Sequence, residues 1–88
     1  MPIKSSPWAA IIRRKVREVL NMAPGFGQTE AQLHEYVGDL CGFPVSLQEL
    51  RDAREWNHEH GFIRSEDDDA TDSILWYITK SGQAQQKI

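Results

Sequence analysis

Only four residues, "GFPV" at 42–45, separate two stretches that each carry a complete helix-start signal. A connection this short between two helices forces a tight turn, and that leaves few folds open. Upstream, in "TEAQLHEYVGDLCG", Thr29 and Gln32 have the spacing of a capping box, in which the threonine hydroxyl and the glutamine side chain satisfy each other's backbone N–H groups. Leu33, Tyr36, Val37 and Leu40 then fall at i, i+3, i+4 and i+7, one stripe of a helix, and Gly42 suits the position just past its end. Downstream, Ser46 and Glu49 make a second capping box, and Val45 and Leu50 have the spacing of a hydrophobic staple. This helix runs to about His60, where Gly61 stops it.

The flanks complete the pattern. "SSPWAAIIRRKVREVLNMAPG" reads as a helix with Ser6 as N-cap and Pro7 at the first helical position, where a missing N–H costs nothing. Trp8, Ile11, Ile12, Val16, Val19, Leu20 and Ala23 form its apolar stripe, Arg13, Arg14 and Arg17 its opposite face, and Pro24 and Gly25 end it. After Gly61, "FIRSE" and "SILWYIT" are rich in β-branched and aromatic residues and read as two strands joined by the acidic turn "SEDDDATDS". Thr79 or Ser81 caps a last short helical turn. Three helices, a tight turn between the second and third, then a hairpin: the order predicts a winged helix-turn-helix, mainly α with a small β-hairpin. With 88 residues, a split would leave neither half a workable core, so one domain spans 1–88 with its core at about 7–84.

The single cysteine, Cys41, excludes an internal disulfide and a cysteine-rich zinc site, and cytoplasm is the expected compartment. "PWAAII" is too short for a signal-peptide core and runs straight into "RRK", so neither secretion nor a membrane partner is expected. The net charge of −3 is unevenly spread. Residues 1–28 carry five cations against Glu18, a balance of +4, whereas residues 29–72 carry twelve acids against three arginines, a balance of −9. Any contact with nucleic acid therefore relies on a local basic patch, because the molecule as a whole repels phosphate.

"APGF" after the first helix, "VS" opening the third, a tryptophan five residues before "GFI", and "ITKSG" closing the hairpin together resemble a small winged-helix family of Mu-like phages and prophages. The resemblance covers roughly residues 13 to 84. That family is described as DNA-binding or regulator-like, so the resemblance implies the fold and a role in transcription regulation. Where its pattern carries leucine, this chain has Arg54 and Asn57.

The third helix is the element that would enter the major groove of duplex DNA. With Leu50, Ala53 and Asn57 inward, Gln48, Arg51, Arg54 and His58 form one flank, and Asp52, Glu55 and Glu59 face outward. Glutamine and arginine make bidentate bonds to adenine and guanine edges, while the carboxylates oppose phosphate. The alternative is a solvated face laced with pairs such as Arg51 with Glu55. Arg13, Arg14, Lys15 and Arg17 are candidates for phosphate contacts, or for the ordinary solvent side of a bundle helix.

Five acids at the hairpin tip do not suit a duplex. They serve as a solubilising turn, as a docking surface for a basic partner with Asp67, Asp68, Asp69 and Trp56, or as a tip turned away while the third helix binds. Trp56 could also cover a homodimer interface, whereas Trp8, and Trp76 with Ile74 and Ile78, are expected in the core.

No cofactor, metal or small-molecule substrate is expected. The acidic run lacks the glycine and the twelfth-position glutamate of a calcium loop, and His58 and His60 at i, i+2 point apart on a helix. Cys41 reads as a buried hydrophobe, and nothing resembles a triad or a phosphate-cradling glycine loop, so an enzyme is not expected. Two function classes remain: a duplex-DNA-binding protein, or a protein-interaction module with an acidic wing.

Overall fold

A computed structural model of the chain describes residues 7–86. Its elements run α1 (Pro7–Met22), α2 (Glu30–Cys41), α3 (Leu47–Glu59), β1 (Ile63–Asp68), β2 (Ser73–Ile78) and α4 (Lys80–Gln86). Both capping boxes form: Thr29 Oγ1 accepts from the Gln32 N–H at 3.2 Å, Ser46 Oγ from the Glu49 N–H at 3.0 Å, and both return bonds measure 2.9 Å. Gly42 (φ 73°) and Gly61 (φ 75°) take the left-handed conformation where α2 and α3 stop. The N-cap expected at Ser6 lies outside the described residues.

Ile12, Val16, Val19 and Leu20 of α1, Leu33 and Val37 of α2, Leu50 and Ala53 of α3, Ile63 of β1, and Trp76 and Ile78 of β2 make one core. Burying each large aliphatic side chain contributes about 1.5–3 kcal/mol before chain entropy is set against it. Val45, partly buried, packs against this core. His34 Nε2 donates to the Val45 carbonyl at 2.7 Å and so ties α2 to the turn that leads into α3.

Three expectations about burial need correction. Trp8 is 50% exposed and lies against Phe43, ring centroids 4.5 Å apart, at the edge of the core instead of within it. Tyr36 is 44% exposed, since α2 turns Leu33 and Val37 to the core and leaves the side of its stripe uncovered. Ile74 is 52% exposed, because it borders an open groove between the start of α2 and the hairpin instead of reaching the core.

The hairpin is also longer than the two apolar segments suggested. β1 continues through Glu66, Asp67 and Asp68, which pair with Leu75, Ile74 and Ser73. Acids are poor strand formers, but these are solvated and the opposite strand brings the β-forming residues. Asp68 then shapes the turn: its carboxylate accepts from the Ala70 N–H at 3.1 Å and the Thr71 hydroxyl at 2.8 Å. A further short pairing went unseen in the sequence, where Gln28 and Trp76 exchange backbone bonds of 3.0 and 2.9 Å on the other side of β2.

Thr79, rather than Ser81, caps α4. Its hydroxyl accepts from the Gly82 N–H at 3.1 Å and donates to the Gly61 carbonyl at 2.7 Å. A Cβ at Gly82 would sit 2.1 Å from the Phe62 carbonyl oxygen, so the close approach of α4 to the start of the hairpin requires glycine there.

Candidate nucleic-acid interface

The inner side of α3 lies as its periodicity implies, with Leu50, Ala53 and Asn57 all buried. An amide at 0% exposure is costly unless its groups are bonded, and those of Asn57 are. Its Nδ2 donates to the Ala53 carbonyl at 2.9 Å and the Arg13 carbonyl at 3.1 Å, while its Oδ1 accepts from an Arg17 guanidinium nitrogen at 2.9 Å. Asn57 is thus a polar hub between α1 and α3.

That hub reorganises the basic run of α1. Arg17 is drawn inward, also donates to Gln86 Oε1 at 3.3 Å, and lies 5.4 Å from the Phe62 ring centre. Burial, with a smaller contribution from neighbouring Arg14, pushes its pKa below the usual arginine range. Arg13 sits 4.7 Å from the Trp56 ring centre, and the His60 imidazole stacks on the same ring at 3.8 Å. Lys15 pairs with Glu18 at 3.1 Å, and Arg14 is exposed. The four cations therefore do not form one patch: Arg13 and Arg17 turn toward α3 and the hairpin, a helical turn apart on one side, and Arg14 faces solvent.

On the outer side of α3, Gln48 is exposed and bonds Asp52 at 2.9 Å. The pair of Arg51 with Glu55 does not form. Instead Arg51 reaches Glu30 at the start of α2, through Nε at 2.8 Å and a terminal nitrogen at 3.3 Å. Arg54 donates to the same carboxylate at 2.6 Å and to Glu55 at 3.3 Å, and its guanidinium lies 4.6 Å from the Trp76 ring centre. Hydrogen bonding from Arg51 holds the Glu30 carboxyl below the usual carboxylate range, burial opposes this, and Arg54 adds to the lowering. The same bond raises the pKa of Arg51.

Beside this cluster, a groove of about 410 Å³ between the start of α2, α3 and the wing is lined by Glu30, Arg54, Asp72, Ile74 and Trp76 among others. No spacing rule could have found Glu30, which stands 21 and 24 residues before its arginines. Its place as first residue of a capped helix was legible; its partners were not.

In the wing, Asp67, Asp69 and Asp72 are exposed and Asp68 is taken up by the turn. Arg64 pairs with Glu66 and lies 4.5 Å from the Tyr77 ring centre. Trp56 is half-buried under Arg13 and His60, so one candidate partner residue already holds two neighbours. Among the described residues no three His, Cys, Asp or Glu side chains gather as a metal site would need, and no helix is long and apolar enough to cross a membrane. Burial raises the Cys41 pKa, which keeps its sulfur a weak nucleophile.

The fold is shared with solved structures. A MarR-family transcriptional regulator from Silicibacter pomeroyi superposes with a TM-score of 0.69 at 22% identity, over 84% of this chain and 44% of that one. SSV1 F-93 superposes with a TM-score of 0.62 at 21% identity, over 92% of this chain and 82% of that one. The chain thus spans less than half the length of the MarR-family regulator. No protein-family model matches the sequence, and no curated protein matches it. These similarities show the winged-helix fold; they do not show a Mu-like phage family.

Proposed function

We propose that this chain binds duplex DNA as a winged-helix protein of regulator type, with α3 as the element that meets the major groove. One arrangement carries the reading: α3 follows a tight, pinned turn, buries one side completely, and turns exposed Gln48 outward at the end where a recognition helix reads base edges, with Arg51 beside it for the backbone. The winged-helix neighbours support it. Arg14 is the cation of α1 best placed for phosphate contact; Arg13 and Arg17 shape the surface from beneath, Lys15 is paired with Glu18, and Arg54 backs Arg51. The wing stays off the duplex, because its tip would set four aspartates against phosphate.

A second reading, a module that docks a basic protein partner, is favoured by one observation. Asp67, Asp68, Asp69 and Asp72 line a single concavity at the wing tip. Fluorescence anisotropy with a random-sequence duplex at low and then physiological salt separates the two. DNA binding predicts a salt-sensitive association that Arg51→Ala and Arg14→Ala each weaken; no association at low salt favours the partner-protein reading.

A further inference from the structure

Two arginines of the proposed reading helix converge on a carboxylate that does not belong to that helix. Glu30 receives three N–H bonds, from Arg51 Nε (2.8 Å), a second Arg51 nitrogen (3.3 Å) and an Arg54 terminal nitrogen (2.6 Å). A forked pair of guanidinium groups closing on two oxygens is equally the geometry by which arginines hold phosphate oxygens. We propose that Arg51 and Arg54 form a phosphate-binding site whose occupant in the free protein is the Glu30 carboxylate, so that Glu30 sets how tightly the helix holds a nucleic-acid backbone.

Three features support an exchangeable occupant. The cluster is accessible from one side: the side chains of Arg51 and Glu30 are 46% and 30% exposed against 14% for Arg54, and the groove of about 410 Å³ is lined by Glu30 and Arg54. The carboxylate leaves donors unused, since Arg54 Nε is buried with no acceptor, and a phosphate brings more acceptor oxygens than a carboxylate. Glu30 is also the first residue of α2, so an anion taking its place would remain beside a helix start, where the unpaired N–H groups favour negative charge. Arg54 lies against the Trp76 ring, which keeps one guanidinium in place while its partner exchanges. The proposal rests on the DNA-binding reading for its ligand, but not for the site.

The test compares the wild-type protein, Glu30→Gln and Glu66→Gln, the last removing an acid from the exposed Arg64 pair in the wing as a control for net charge. Each is titrated with a random-sequence duplex by anisotropy, and with inorganic phosphate while the arginine Nε–Hε signals are followed by NMR. The expected result is that Glu30→Gln binds duplex about tenfold more tightly at low salt, with a log K versus log[salt] slope steeper by about one, while Glu66→Gln changes affinity less. If no variant binds duplex but phosphate moves the Arg51 and Arg54 signals in Glu30→Gln and not in the wild type, the site stands and the DNA reading falls. If wild type binds duplex and Glu30→Gln binds no more tightly than Glu66→Gln, the proposal is overturned. Silent Arg51 and Arg54 signals in Glu30→Gln with both probes overturn it too, as does loss of the folded spectrum in both Glu30→Gln and Glu30→Ala, which would make Glu30 a fold-holding residue.

Discussion

On α1, Arg13 and Arg17 lay their guanidinium groups against Trp56, Phe62 and the buried amide of Asn57. On α3, Arg51 and Arg54 close on the carboxylate of Glu30, with Arg51 46% exposed. The residue type is the same, but the partners differ in kind. An aromatic ring or a buried amide holds an arginine by packing and desolvation, which salt and competing anions barely touch. A surface carboxylate holds it by charge, which both can displace. The basic residues of α1 are largely building material, whereas on α3 Arg54 is held by Trp76 as well and Arg51 is the one available for exchange.

The largest effect expected from this contrast is at Asn57. Asn57→Ala should lower stability by about 2–4 kcal/mol, since it empties a core position and takes the amide acceptor from the Arg17 guanidinium; urea unfolding would read it as a lower midpoint at an unchanged slope. Asn57→Leu combined with Arg17→Met should recover most of that loss, because replacing both partners by apolar groups leaves nothing unpaired. A double variant as unstable as the single one would show that the polar hub matters for more than satisfying itself. Arg13→Ala comes next, at about 1 kcal/mol, from losing its position over Trp56.

Arg51→Ala should lower the urea midpoint only slightly, by the loss of its exposed pair with Glu30, while clearly weakening duplex binding at low salt. A stability loss like that of the α1 variants would collapse the distinction between the two helices.

The smallest effect is a pH dependence. Glu30 titrates below the usual carboxylate range in the folded protein, so its contribution to stability is fully present at neutral pH, above the unfolded value. It is lost as the pH falls through that value to the lower folded one. Following the urea midpoint across acid pH should show a shallower decline in Glu30→Gln than in the wild type.

What the sequence made legible was local. Thr29 with Gln32 and Ser46 with Glu49 satisfy groups three residues away, so spacing alone was enough to place the starts of α2 and α3. Gly42 and Gly61 at their ends, and the order of helices and hairpin, followed in the same way. What escaped was tertiary. Whether an arginine faces solvent or a tryptophan depends on a ring contributed some forty residues away, and Glu30 meets its arginines only because the tight turn folds α3 back across α2. The exposure of Trp8 and Tyr36 escaped for a related reason: a stripe shows which side of a helix is apolar, not how far its neighbours extend along it.

α4 has seven residues, fewer than the roughly 12–15 an isolated helix needs to persist in water. It exists only while it stays docked, through Gly82 against Phe62, Gln83 against Asn21, and Gln86 against Arg17. Its amide protons should therefore exchange with solvent through small local openings, whereas those of Val16 and Leu20 wait for the whole domain to unfold. Each opening withdraws Gln86 from Arg17 but leaves Asn57 in place. This short helix can thus come and go many times while the joint between α1 and α3 stays closed.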